Sequence, residues 1–207
     1  MSFFYLDCYL PLSGPVLNQA LEINRLLVNE YASLIDFKRS IKPHLTVFMG
    51  LFPDLPPVQA AIEQMNQTFM PFTLDLNGFR LSHDGYVFWE VAPTFGLVAL
   101  HEKVIIALNP LRNGLIREKY LENIDSFSDS EQENIREFGF PWVMQLFKPH
   151  LTLGRINASV DAEKLFLRLG RTAETKSFEV DRLELGQVGD NGTVITGRFC
   201  RAFSQKI

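Results

Sequence analysis

The chain has 207 residues, of which 46% are apolar and 21% charged, long enough to bury a core and too apolar for a disordered segment. A net charge of −4 excludes a general nucleic-acid coat, which needs many Lys and Arg against phosphates. A nucleotide or a single RNA end, served by a local basic patch, stays open.

Residues 3–10 (FFYLDCYL) read as a strand, and Gly14-Pro15 opens a helix-spaced run with apolar Leu17, Leu21, Leu27 and Val28. HLTVFMG forms the next strand, and Pro56-Pro57 starts a helix reaching about Phe69. FTLDLNGFRL and YVFWEV pair about His83-Asp84-Gly85, a hairpin signal, and residues 95–108 read as helix. Residues 110–146 are an extra segment, with a capping box of Ser128 and Glu131 and a stop at Gly139 before Pro141. The remainder reads as strand (FKPHLTLGRI), helix (about 161–169), strand (SFEVDRLELGQV), an Asp190-Asn191-Gly192 turn, and strand (TVITGRFCRAF).

Cys8 and Cys200 lie in apolar runs and are expected to be buried free thiols. The start MSFFYLDCYLPL carries Asp7 and no basic stretch, so no secretory leader is expected. No uncharged run approaches a membrane span, and a cytoplasmic protein without membrane partners is expected.

The word KPHLT occurs twice, at Lys42–Thr46 and at Lys148–Thr152. Phe72 follows His44 by 28 residues, and Phe178 follows His150 by the same interval, each opening a similar FTLD or FEVD stretch. Asp84-Gly85 and Asn191-Gly192 then mark corresponding turns. Each unit, about 42–91 and 148–201, reads strand–helix–strand–turn–strand, a duplicated α+β arrangement within one bilobal domain spanning residues 1–207.

Side chains two apart on a strand share a face. His44 with Thr46, and His150 with Thr152, therefore point away from the apolar neighbours Leu45, Val47, Leu151 and Leu153. A lone HxT is most often the polar side of a half-exposed strand. Two copies in equivalent places point instead to one paired site, because a core constraint would retain the leucines without needing both His and Thr. Imidazoles titrate near neutrality, so one can accept a proton while the other donates one. Thr hydroxyls can donate to the non-bridging oxygens of a phosphoryl group. A phosphodiester between the motifs would undergo in-line displacement without a nucleophilic residue or a metal.

The paired motifs, and FKPHLTLGR in particular, resemble the 2H phosphoesterase superfamily, which includes 2′-5′ RNA ligase-like proteins and cyclic nucleotide phosphodiesterases. The resemblance implies two pseudo-symmetric lobes, each an antiparallel sheet with outer helices, around a central groove carrying both motifs. It also implies opening of 2′,3′-cyclic phosphates on nucleotides or RNA 3′ ends without metal or cofactor, with His44, Thr46, His150 and Thr152 as the catalytic set. Residues 110–146 depart from the pattern and leave the substrate open. Two alternatives remain at this point: a binding protein for an RNA end or nucleotide phosphate, and a 2′-5′ RNA ligase. A monomer without affinity for long duplexes is expected. Which His is the acid is not decided by the sequence.

Lys42, Lys148 and Arg155 are candidate phosphate contacts, with Lys38 and Arg39 nearby, although Arg155 has core parity unless Gly154 breaks the alternation. Phe48, which shares parity with His44 and Thr46, is the foremost candidate for stacking on a base, ahead of Tyr5, Trp89 and Trp142. His83 is expected to face solvent in its turn, and His101 to pack or to face water from its helix. No ligand-spaced cluster suggests zinc: Asp7 or Cys8 would have to join the two motif histidines.

Overall fold

The computed structural model describes residues 3–39 and 41–195. Cys200 and most of the last expected strand lie outside the described residues. The elements run β1 (Phe4–Pro11), α1 (Gly14–Tyr31), β2 (Ile41–Lys42), β3 (His44–Phe52), α2 (Leu55–Gln67), β4 (Phe72–Leu81), β5 (Tyr86–Val91) and α3 (Phe95–Leu108). There follow α4 (Glu118–Glu122), α5 (Asp129–Phe138), β6 (His150–Arg155), α6 (Ala162–Gly170), β7 (Ser177–Val180), β8 (Glu184–Val188) and β9 (Val194–Ile195).

Among the described residues all strand pairs are antiparallel, in one nine-stranded order β2-β9-β8-β1-β3-β6-β5-β4-β7. The expected α+β class and antiparallel pairing hold, but the strands form one continuous ladder rather than two separate sheets. The two motif strands, β3 and β6, are neighbours at its middle. The repeat units are interleaved across it: β3 pairs with β1, while β6 pairs with β5 of the other unit.

One face of the sheet is apolar. Leu45, Val47, Trp89, Leu151 and Leu153 are buried there with Val16, Ala20, Ile23 and Leu27 of α1 and Leu97, Val104 and Ile105 of α3. Asn24 of α1 fixes one contact, donating to the Leu153 and Ile35 carbonyls and accepting from the Phe37 N–H. His101 of α3 fixes another. It is buried and stacked on Phe147, with Nδ1 2.7 Å from the Val47 carbonyl, while Nε2 accepts the Met144 N–H at 2.9 Å. Of its two expected settings, packing is the one found. A carbonyl can only accept, so the ring is the neutral tautomer protonated on Nδ1. His83 is exposed in its turn.

The expected hairpin turn is present, and Gly85 (φ 90°) is required there, since a Cβ would meet the Ile156 carbonyl oxygen. The expected capping box starts α5, where Glu131 takes the Ser128 N–H at 2.9 Å, and Gly139 ends the helix in the left-handed region. The single strand expected over 177–188 is two. Asn66 of α2 takes the Leu183 N–H and donates to its carbonyl, so the ladder breaks there and β8 joins β1 instead of continuing beside β4.

Candidate active site

With α1 and α3 packed on the apolar face of the central strands, the other face carries the polar motif residues. Pro43 and Pro149 precede β3 and β6, where a missing N–H costs no ladder bond. Leu45 lies opposite Leu151 on antiparallel strands. His44 therefore comes across from Thr152, and Thr46 across from His150, with all four on the face away from the leucines. By sheet geometry the histidines are diagonal neighbours, about 7–8 Å apart at the backbone. In both, Nδ1 lies 2.7 Å from the carbonyl of the Lys two residues earlier. That bond places a proton on Nδ1 in both copies and leaves Nε2 to face the neighbouring strand or solvent.

Around the first copy the site is closed. Asp7 of β1, fully buried, brings Oδ2 to 3.2 Å from His44 Nε2 and 2.7 Å from Thr46 Oγ1. Asp7 Oδ1 has no hydrogen-bond partner among the described residues. Burial by itself would lower the His44 pKa, but the hydrogen bond and charge of Asp7 outweigh it and the pKa is raised. Burial also raises Asp7, against the pull of His44 and Thr46, so the pair holds a proton over a wide range. Tyr9 packs its ring 5.1 Å from the His44 ring and donates to Glu184, which also takes Lys42 at 3.3 Å and Arg182.

Around the second copy the site is open. His150 is only part-buried, and neither its Nε2 nor the Thr152 hydroxyl has a hydrogen-bond partner among the described residues. Its ring lies 4.2 Å from Phe88 of β5, which carries the Arg80 guanidinium on its face. Glu90, directly across from His150, is taken by Arg80 at 2.7 Å. Packing among these groups, then the charges of Arg80 and His44, push the His150 pKa down to about 4, although its own bond to the Lys148 carbonyl resists.

Arg155 reaches this face because a bulge between Val87 and Phe88 shifts the register, stacking it on Tyr86 and pairing it with Asn191 at 2.8 Å. Lys42 is tied to Glu184, whereas Lys148 and Lys38 are exposed.

Phe48 is a correction. The β1–β3 register slips between Cys8 and Tyr9, so Val47 is the extra residue and Phe48 turns to the core, 1% exposed. Phe88 holds an aromatic place beside a motif histidine, with its neighbour Arg80. Trp89 is buried, and Trp142 is half-exposed with Nε1 bonded to Glu131. From the extra segment, Arg117 stacks on Tyr5 of β1 at 3.8 Å, and the buried Arg112 is held by the Asn109 side chain and the Leu115 and Glu137 carbonyls.

Sequence reasoning missed Asp7 as a partner of the motif, offering it only as a metal ligand. The available signal was a charge inside an apolar strand, in step with Tyr5 and Tyr9. Among the described residues no group of three or more His, Cys, Asp or Glu is placed to hold a metal ion, and no helix is long and apolar enough to cross a membrane.

The fold is shared with known structures. TT0787 of Thermus thermophilus matches with a TM-score of 0.56 at 16% identity, over 94% of this chain and 96% of that one. LigT of E. coli in its apo form matches with a TM-score of 0.51 at 14% identity, over 91% of this chain and 90% of that one. No curated protein matches at a significant level. The family model of the 2′-5′ RNA ligase superfamily matches residues 19–192, and the chain belongs to that superfamily.

Proposed function

We propose that the protein is a metal-independent phosphodiesterase that opens 2′,3′-cyclic phosphates of nucleotides or RNA ends. The observation that carries this reading is the pair of imidazoles on adjacent central strands, each with Nδ1 fixed on a backbone carbonyl and both on the face opposite α1 and α3. A phosphoryl group seated between them meets one Nε2 on the side of the attacking water and the other on the side of the leaving ribose oxygen. One ring takes the water proton as the P–O bond forms; the other protonates the leaving oxygen as its P–O bond breaks. The Thr152 hydroxyl is free to donate to a non-bridging oxygen. Thr46 was expected to do the same, but its hydroxyl is spent on Asp7. Arg155 supplies positive charge at the open side, where Arg80 is paired with Glu90. Membership of the superfamily supports the reaction class.

The substrate class in this reading is a terminal cyclic phosphate or short strand, held by Phe88 and few cations, on a monomer without affinity for long duplex. The test is turnover of 2′,3′-cyclic mononucleotides in excess chelator. Opening to a single phosphomonoester is expected, and activity that disappears with EDTA and returns with zinc would refute the reading.

A further inference from the structure

The two motifs are the same in sequence, yet the strands beside them are not. Each motif histidine has a carboxylate on its outer neighbouring strand, Asp7 on β1 and Glu90 on β5. Glu90 is drawn off by Arg80, whereas Asp7 has no cation but His44 within bonding reach among the described residues. Among those residues, the hydrogen bonds Asp7 accepts on its side chain come from the motif itself, through Oδ2. A fully buried carboxylate with one oxygen unpartnered is costly to keep for packing alone.

We infer that Asp7 is a positioning residue that divides the labour between the motifs, holding His44 as the proton donor and leaving His150 as the proton acceptor. The assignment rests on the phosphodiesterase reading. In the forward step His150 Nε2 takes a proton from water as the water oxygen bonds to phosphorus. The bond from phosphorus to the ribose oxygen breaks, and that oxygen receives the Nε2 proton of His44. One water is consumed, and the two rings reset by proton exchange with solvent. The His44–Asp7 contact at 3.2 Å is long for a charged pair, so its proton can be redirected to the leaving oxygen without breaking a strong bond.

The groups facing His44 agree with this division. Asp7 and the Tyr9 ring stand on β1, Lys42 on β2 is paired with Glu184 of β8, and Thr46 on β3 donates to Asp7. His150 on β6 adds positive charge only when it is itself protonated. Asp7 is thus the side chain that favours a charged His44, joined by the Lys42 carbonyl and opposed by burial and the Lys42 ammonium, and the raised His44 and lowered His150 pKa point the same way.

The experiment is an NMR titration of the histidines in the full chain, wild type and Asp7→Asn, with kcat/KM against pH on a 2′,3′-cyclic mononucleotide. In the wild type His44 should titrate above 6.5 and His150 below it. In Asp7→Asn the His44 midpoint and the alkaline limb should both move down while the acid limb stays. Above both limbs the rate should fall about tenfold for each unit of movement. A purely structural Asp7 would lower the rate at every pH without moving a limb, and that result overturns the proposal. So does the reverse order of the two midpoints in the wild type, a reading that stands even if Asp7→Asn does not fold. Shifted midpoints in an enzyme that never opens a cyclic phosphate would overturn the phosphodiesterase reading and leave the Asp7–His44 coupling in place.

Discussion

The two copies of KPHLT share their backbone, their strand entry after proline and their carbonyl-anchored imidazoles, but they sit in opposite surroundings. The first is walled by β1, which contributes Asp7 and Tyr9, and its histidine is 7% exposed. The second is walled by β5, which contributes Phe88 and a Glu90 already claimed by Arg80, and its histidine still meets solvent. A five-residue word therefore fixes rotamer and tautomer, while the neighbouring strand fixes charge. Duplication supplied two equal rings; the strand order made them unequal.

The largest test of that difference is removal of each ring. His44→Ala and His150→Ala should each cost about 10²–10⁴-fold in kcat/KM. Only His44→Ala should also destabilise the fold, by about 3–5 kcal/mol, because it strands the buried Asp7 carboxylate. Sequence parity alone expects both faces to be solvated and both variants to fold equally well. Equal urea midpoints for the two variants would erase the asymmetry.

The aromatic neighbours separate next. Phe48→Ala should cost about 3–5 kcal/mol of stability with KM unchanged, as a core truncation. Phe88→Ala should raise KM and leave the denaturation midpoint nearly in place. The threonines follow. Thr152→Val should slow turnover by about 10²-fold without loss of stability, as removal of a free donor. Thr46→Val should cost about 1–3 kcal/mol in denaturant, with the smaller effect on rate, since its hydroxyl serves Asp7. An interchange of these outcomes would show that the first motif opens when substrate binds.

The smallest effect is in acid. His101 and His150 are both lowered in the folded chain, chiefly by burial. Each of the two therefore contributes stability that is present above the ordinary imidazole pKa of about 6.5 and is lost as pH falls below it, because there the unfolded chain binds the proton first. His101→Gln should flatten part of that slope in melting curves taken between pH 7 and 5.

Much of this site was legible because period-2 alternation is a strong constraint: His44, Thr46, His150 and Thr152 reach one face as the pattern demands. The hairpin at Gly85, the capping box at Ser128 and the turn at Asn191 were legible from residues with a single good use. Phe48 was not, because Val47 and Phe48 are both apolar and a bulge between such residues leaves no mark in the pattern. The break at Leu183 was hidden for another reason: its cause is Asn66, an amide 117 positions away. Asp7 was visible as an anomaly, but its partner depended on which strand lies beside β3, and an interleaved sheet does not announce its order.

Opening of a cyclic phosphate by the two rings without metal comes down to one measurement. Turnover of a 2′,3′-cyclic mononucleotide by the wild type and by His150→Ala, each in excess EDTA, should show full activity in the first and a loss of at least about 10²-fold in the second. Equal turnover by both proteins, or none by a folded wild type until zinc is added, would contradict it.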